Sequence, residues 1–306
     1  MSINSCTDDY RVLSIQSHVV SGYVGNKSAV FPLQVLGFEV DAINSVQFST
    51  HTGYEHWKGQ VLDSRDLLTV FDGLVKNDLH KQYTHILTGY AKNESFLESV
   101  LEVVNTVKQA NPGAIYLCDP VMGDNGQMYV PQELLPVYKD KIILIADILT
   151  PNQFEAELLT GIKINNDSDA IQAIDALHDL GIPTVVISSS NLSQNSSHMV
   201  AIGSSRANGH KERIKLSFPK LNATFTGTGD LFAALFLAWF TKTNKDLKTT
   251  CENVISTLQA ILKSTYDYAV QQPGGAKSVK NTELRLIQSR AQLESPQNNI
   301  KAIELV

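Results

Sequence analysis

The chain has 306 residues, 43% of them hydrophobic and 18% charged, with 25 Lys and Arg against 31 Asp and Glu, a formal net charge of −6. This is the balance of an ordinary globular protein long enough for one large α/β domain, and its sign argues against nucleic acid as the main partner. Cys6, Cys118 and Cys251 lie too far apart for a disulfide framework or a CxxC metal site, and no apolar run is long enough to span a bilayer, so a cytoplasmic protein with reduced thiols is expected.

Met1–Tyr10 is polar and acidic, without the basic-then-apolar pattern of a leader. One domain is expected over residues 1–306, with a polar tail at 1–10 and a charged, less defined tail at 289–306. Arg11–Ser17 reads as a first buried strand, running into a glycine-bearing loop, Ser21–Asn26. A helix is predicted over Lys27–Leu36, with Pro32 either kinking it or marking its true start. Phe38–Val46 is a second strand, and His51–Tyr54 makes a polar turn. Helical spacing covers Asp63–Asn77 and Glu94–Gln109, the latter closed by Asn111-Pro112-Gly113. Strands are predicted at His85–Gly89, Ile115–Cys118, Ile142–Leu149 and Thr184–Ile187, with helices at Glu155–Leu159 and Ser168–Leu180 between the last two. Met199–Gly203 and Arg213–Leu216 read as more exposed strands, and the polar segments 191–197 and 204–211 as surface loops. Leu247–Val270 is a long amphipathic helix.

This alternation predicts a mainly parallel sheet covered by helices on both faces. Polar residues follow the strand ends at Ser17, Tyr90, Asp119, Thr150–Asn152 and Ser188–Ser189. In open α/β sheets ligands sit beyond the carboxyl ends of the strands, so these residues should line one crevice.

The stretch from Thr224 to Trp239 is the centre of this pattern. Gly227 and Gly229 bracket one threonine, Asp230 follows, and no further charge appears before Lys242. A helix apolar nearly all round belongs in the middle of a domain. Its first N–H groups lack intrahelical partners and glycines let a ligand approach, so the end suits a phosphate or a developing oxyanion. Asp230 could then take a proton from an attacking hydroxyl. Ordinary capping of a buried helix accounts for the same four residues, and the spacing fits neither the P-loop nor the dinucleotide fingerprint.

Other constellations also have two readings. Asp119 and Asp124 flank a glycine at a strand end, as ligands of a hard cation or as two ordinary turns. Asn152 and Glu155 could aim into the crevice or form a capping box. His18 and His51 lie near strand ends, Tyr90 and Tyr129 could stack on flat ligands, and no HExxH or GxSxG motif occurs.

Three stretches together, DPVMGD (Asp119–Asp124), TPNQFE (Thr150–Glu155) and GTGD (Gly227–Asp230), resemble the signatures of the ribokinase-like superfamily. The preceding text is narrower. VLSIQSHV (Val12–Val19), GYVGN (Gly22–Asn26), FPLQ (Phe31–Gln34), SVQFS (Ser45–Ser49), HTGY (His51–Tyr54), WKG (Trp57–Gly59) and LTGY (Leu87–Tyr90) are similar to the pyridoxal kinases, over about Arg11 to Gln288.

The resemblance implies a ribokinase-like α/β fold and transfer of the ATP γ-phosphoryl to the 5′-hydroxyl of pyridoxal, pyridoxine or pyridoxamine. By the same implication Asp230 is the base, and Gly227, Thr228 and Gly229 form the anion hole. Ser17, Thr52 and Tyr90 hold the pyridine ring, with Val19 and His51 beside them. The nucleotide falls to Asp124, Tyr129, Asn152, Glu155, Ser188, Ser189, Phe225, Thr226 and the Gly227–Gly229 loop. Asp119, Asp124, Thr150 and Glu155 are the expected cation ligands, for Mg²⁺ or another divalent ion with ATP and for a monovalent ion, K⁺ foremost. A cytoplasmic homodimer with ATP and B6 vitamers as partners, and neither nucleic acid nor membrane, completes the implication.

Two departures stand out. The Asp124–Tyr129 loop is shorter than in vertebrate members, and Ser188 stands where threonine is common. A hydroxymethylpyrimidine kinase, or a catalytically silent relative, are the competing readings. A sugar kinase would carry an additional lid after the first strand, which this sequence lacks.

Overall fold

The computed structural model describes residues 10–193 and 195–305, so Cys6 and the expected tail before Tyr10 lie outside the described residues. The first half runs β1 (Arg11–Val19), α1 (Asn26–Val35), β2 (Glu39–Phe48), β3 (Gly59–Val61), α2 (Ser64–Lys76), β4 (His85–Thr88), α3 (Glu94–Ala110) and β5 (Ile115–Cys118). A small hairpin of β6 (Gly123–Asp124) and β7 (Gln127–Met128) and a short helix α4 (Leu134–Val137) lead to β8 (Ile148–Leu149). Then come α5 (Gln153–Thr160), α6 (Asp167–Asp179), β9 (Thr184–Ser190), β10 (His198–Ser205) and β11 (Glu212–Pro219). The chain continues through α7 (Thr228–Lys242), α8 (Leu247–Ala269), α9 (Arg290–Glu294) and β12 (Ala302–Glu304).

Ten strands form one sheet in the order β12-β11-β10-β9-β8-β5-β4-β1-β2-β3. The pairs from β2 through β1, β4, β5 and β8 to β9 are all parallel, and antiparallel strands close both flanks. The order reverses at β1, which lies between β2 and β4, and this is where α/β sheets open a crevice for ligands. Successive residues of the central strands face opposite sides of the sheet. Leu13, Ile86, Tyr116 and Val185 join one core, while Val12, Leu87, Leu117 and Val186 join the other.

Helix α7 lies in the second core, packed against both α1 and α8. Its residues Leu231–Ala238 are all buried, as an uncharged helix requires. Phe232, Phe236 and Phe240, one turn apart, stack with centroids 6.0 and 5.4 Å apart.

The element pattern follows the sequence closely, with informative exceptions. Ile142–Leu149 is not one strand. A wound segment from Leu134 continues through Ile145, burying Tyr138, Ile142 and Ile143, and only Ile148–Leu149 pair in the sheet. A short apolar run suits either state, and packing decides between them. Pro32 lies inside α1 rather than at its start. β10 is buried along most of its length, including Ser204 and Ser205, because β9 and β11 flank it and α6 and α8 pack on it, with Ser204 bonded to His178 of α6. The charged tail carries β12, whose residues pair with Ile214–Leu216 at the sheet edge. The three-residue β3 carries too short a pattern to be read.

Phe236 is fully buried between its two aromatic neighbours. Phe236→Ala should lower stability by about 3–5 kcal/mol, read as a fall in the urea midpoint at unchanged m-value.

Candidate active site

Because the central strands are parallel, the carboxyl ends of β1, β4, β5, β8 and β9 share one rim. The start of α7 meets them there, since a Cβ placed on Gly229 would lie 3.7 Å from Asp119 Oδ2, just past β5. Gly227 precedes the helix with φ +82°, and a Cβ there would stand 2.0 Å from the Tyr23 carbonyl oxygen. Both facts require glycine.

Helices α2, α3, α5, α6 and α8 are capped by the side chains of Asp63, Asn93, Asn152, Asn166 and Asp246. Among the described helices of eight or more residues, only α1 and α7 start without a side-chain cap, each behind a positive-φ glycine, Gly25 or Gly227. Neither Thr nor Asp caps α7 through its side chain, although Asp230 still stands in the first turn where its charge suits the helix dipole. The two starts lie close together, since the Gly25 backbone is near enough to the Asp230 carboxylate to hold its pKa down. Burial raises the Asp230 pKa above the usual aspartate value, and the Gly25 backbone only partly offsets it.

The acids across the crevice are more deeply buried, Asp119 at 5% exposure and Glu155 at 4%. Glu155 forms the capping box with Asn152. Its Oε2 accepts from Asn152 N–H at 2.9 Å, and the Asn152 side chain accepts from Glu155 N–H at 2.9 Å. Glu155 Oε1 accepts from Met122 N–H at 2.9 Å and Gly123 N–H at 3.4 Å, and Asn152 Nδ2 donates to the Gly123 carbonyl at 2.7 Å. The box therefore also fixes the DPVMGD turn, so the two sequence readings of these residues are compatible. Burial pushes both carboxyls up. For Asp119 the charges of Glu155 and Asp230 add to it, while for Glu155 the N–H bonds of Asn152, Met122 and Gly123 oppose it. Nearby, the Thr150 hydroxyl is buried without a hydrogen-bond partner. Carboxylates and a hydroxyl are donors of the kind a hard cation takes, but Glu155 spends both oxygens on backbone N–H groups, and among the described residues no three His, Cys, Asp or Glu side chains cluster as a metal site.

Asp124 leads into the Asn125-Gly126 turn, with φ 49° and 79°, the geometry of a tight two-residue hairpin. Its carboxylate accepts from Asn125 N–H at 2.7 Å. Tyr129 is exposed, its N–H bonded to the Met122 carbonyl at 2.8 Å. Ser188 donates its N–H to the Pro151 carbonyl at 2.8 Å, which sets Ser188 and Ser189 beside Thr150–Asn152. Phe225 packs at the edge of the α7 core, and Thr226 is exposed in front of it.

On the opposite side, the β1/β2 register slips between Gln16 and His18, at Ser17. Irregularities of this kind re-aim a side chain. A Cβ on Gly25 would lie 2.4 Å from Ser17 Oγ, so Ser17 adjoins the start of α1. Val19 packs with Val24, Val46 and Phe48, and Tyr90 lies against this cluster. Thr52 is exposed and His51 buried. His51 Nδ1 accepts from Gly53 N–H at 3.1 Å, and its Nε2 lies 3.3 Å from Glu283 Oε1. A Cβ on Gly53 would lie 4.0 Å from Thr226 Oγ1, so the His51 turn faces the glycine loop of α7.

The expected residues thus gather at one rim. Two contributors were not foreseen, the Gly25 amide and Glu283. A backbone donor has no side-chain signature, and Glu283 reaches partners 229 to 260 positions away in sequence.

The family model described as phosphomethylpyrimidine kinase matches residues 77–278. Pyridoxal kinase from Ovis aries is 51% identical over 311 residues, covering 97% of this chain and 99% of its own length. That from Arabidopsis thaliana is 49% identical over 304 residues, covering 99% and 97%. The solved structure of pyridoxal kinase from Leishmania donovani in complex with ADP and pyridoxamine has a TM-score of 0.90 at 36% identity, covering 97% of this chain and 100% of that one. Identity of this order over nearly the full length, on the same parallel sheet, shows that the chain belongs to the pyridoxal kinases.

Proposed function

We propose that this chain transfers the γ-phosphoryl group of ATP to the 5′-hydroxyl of pyridoxal, and of pyridoxine and pyridoxamine, giving the 5′-phosphate and ADP. The observation that carries this reading is the uncapped, glycine-led start of α7 with Asp230 beside it. The Leishmania relative's complex with ADP and pyridoxamine supports the choice of substrates.

Asp230 takes the proton of the vitamer hydroxyl as that oxygen forms its bond to the γ-phosphorus. The bond to the β,γ-bridging oxygen breaks and ADP departs. Charge on the transferring phosphoryl meets the N–H groups of Gly227, Thr228 and Gly229. Phosphoryl transfer asks for positioning and charge stabilisation, which fixed amides supply without reorganising. Asp230 lies in its helix's own first turn, so the base and the anion hole are held as one rigid piece.

Ser17, Thr52 and Tyr90 are assigned to the pyridine ring, with Val19 and His51 forming its surroundings. Asp124, Tyr129, Asn152, Glu155, Ser188, Ser189, Phe225 and Thr226 are assigned to the nucleotide. Asp119, Asp124, Thr150 and Glu155 would hold Mg²⁺ or another divalent ion and a monovalent ion such as K⁺. When bound, these cations neutralise phosphate charge. Support for the cation set is the buried carboxylates and the orphaned Thr150 hydroxyl. A cytoplasmic homodimer, each chain a single domain over residues 1–306 with tails at 1–10 and 289–306, rests on kinship alone.

A pyrimidine alcohol as substrate is the second reading, favoured by the description of the family model. That match begins at residue 77, after Ser17, His51 and Thr52, the segments whose text is specific to pyridoxal kinases.

The deciding measurement is ATP-dependent phosphate incorporation into pyridoxal, with hydroxymethylpyrimidine as competitor. Pyridoxal should be phosphorylated and the pyrimidine should compete weakly. Asp230→Asn should lower kcat about 10²–10⁴-fold with ATP binding retained, and near-normal turnover would remove Asp230 from the role. Because burial raises its pKa, wild-type kcat should begin to fall, as pH is lowered, at a higher pH than an ordinary aspartate would give.

Raised Asp119 and Glu155 pKa values mean that the folded state binds those protons more tightly than the unfolded chain. Cation-free protein should therefore lose stability as pH rises above the unfolded carboxylate values of about 4. Added Mg²⁺ should restore it near neutrality. Asp119→Asn should raise the cation-free Tm at neutral pH and shrink the Mg²⁺-induced shift. A Tm unchanged by both the substitution and the ion would count against the site.

A further inference from the structure

Glu283 lies outside every motif that marks the site, yet both its carboxylate oxygens are spent on the substrate-side loops. Oε2 accepts from the Tyr23 N–H at 2.9 Å, in the Ser21–Gly25 loop. Oε1 accepts from the Tyr54 hydroxyl at 3.0 Å and lies 3.3 Å from His51 Nε2, in the second loop. These loops leave the sheet at different strands, after β1 and β2. Among the described residues, Glu283 is the side chain that bonds to both.

Its mounting is rigid. Leu284 and Leu286 are fully buried in the α7 core, and Arg285 N–H donates to Thr265 Oγ1 of α8 at 3.1 Å. Arg285 also stacks over the Tyr268 ring with its guanidinium carbon 4.1 Å from the centroid. The carboxylate therefore projects from an anchored segment toward two loops whose bases are already joined by main-chain bonds, Val20 N–H to the Phe48 carbonyl and Ser21 N–H to the Ser49 carbonyl, and it ties their far ends. The fit is close, since a Cβ on Gly22, which has φ +99°, would stand 2.3 Å from Glu283 Oε1.

The same contact fixes His51. Gly53 N–H occupies Nδ1, so the neutral ring carries its proton on Nε2, which faces Glu283. Both ring nitrogens are then engaged within the protein. His51 shapes the loop that carries Thr52 and does not offer a free nitrogen to a ligand. Burial and the Glu283 charge push the Tyr54 phenol up to about 12, so it remains a donor at any working pH.

We propose that Glu283 is a positioning residue for the vitamer half of the site, clamping the Tyr23 and His51 loops into one wall so that Ser17, Thr52 and the Gly25 amide keep a fixed spacing. This rests on the vitamer-kinase reading above and extends it to a residue in the C-terminal segment. An amide in place of the carboxylate cannot serve. Turned one way, its NH₂ group opposes the Tyr23 N–H, and turned the other it opposes His51 Nε2–H. A ring that moved its proton to Nδ1 would then oppose Gly53 N–H. A buried donor left without its charged acceptor is costly, so one loop should open.

The test is Glu283→Gln in the full chain, with Tyr54→Phe as a milder variant that removes one donor. KM for pyridoxal should rise about tenfold or more in Glu283→Gln and less in Tyr54→Phe, with KM for ATP within about twofold of wild type. The double variant should be less than additive, because the two changes remove a shared contact. Hydrogen exchange should quicken in both loops, with α7 and α8 unchanged. Equal rises in both KM values, or a wild-type pyridoxal KM in Glu283→Gln, would overturn the proposal. If wild-type protein fails to phosphorylate pyridoxal, the kinase reading fails. The exchange data still decide the clamp, since unchanged protection in both loops refutes it.

Discussion

Two helix starts without side-chain acceptors face each other across the carboxyl rim of a parallel sheet. Backbone N–H groups buried without partners are destabilising, and proteins seldom leave them so. At α2, α3, α5, α6 and α8 a side chain solves the problem locally. At α1 and α7 positive-φ glycines lead the helix instead of a capping side chain, and the Asp230 carboxylate lies by the Gly25 backbone. That one choice fixes the rest. It leaves directed partial positive charge for an incoming anion, and it needs an apolar helix behind it firm enough to hold the orientation. Phe232, Phe236 and Phe240 supply that firmness.

The opposite bank of the crevice is built on excess negative charge. Burial raises Asp119 and Glu155, the charges of Glu155 and of Asp230 on α7 raise Asp119 further, that of Asp124 raises Glu155, and no cation of the chain is among the groups that shift them. An arrangement of this kind is poor design for stability alone. It is a sensible one for a surface meant to work with bound cations, because an incoming positive charge relieves what the fold has accumulated. The capping box of Asn152 and Glu155 shows how economical the construction is. The side chains that start α5 also hold Met122 and Gly123 in place.

Much of this was legible in the sequence, for reasons that differ by residue. α7 announced itself because an uncharged run behind two glycines has few other uses. The rim residues could be placed because each follows an apolar strand segment, and parallel strands bring their ends together. Where the reading failed, the deciding force was non-local. Ile142 and Ile143 are wound rather than extended because Tyr138 and the α3 side of the core receive them that way. Glu283 is an ordinary acid in the sequence, and only the folded chain reveals its three partners. The Gly25 amide left no trace, since a backbone donor looks the same at every position.

The last described strand has a consequence of a different kind. β12 pairs with Ile214–Leu216, in the middle of the eight-residue β11, and is tied down by Lys248 to Glu304 and by Lys301 to Glu252. Without it, β11 would become a bare, partly apolar sheet margin with open main-chain groups along its length. Margins of that sort recruit strands from other molecules. The three residues of β12, held between the ion pairs of Lys301 and Glu304, thus replace a long margin by a very short one, which offers a foreign strand little to pair with.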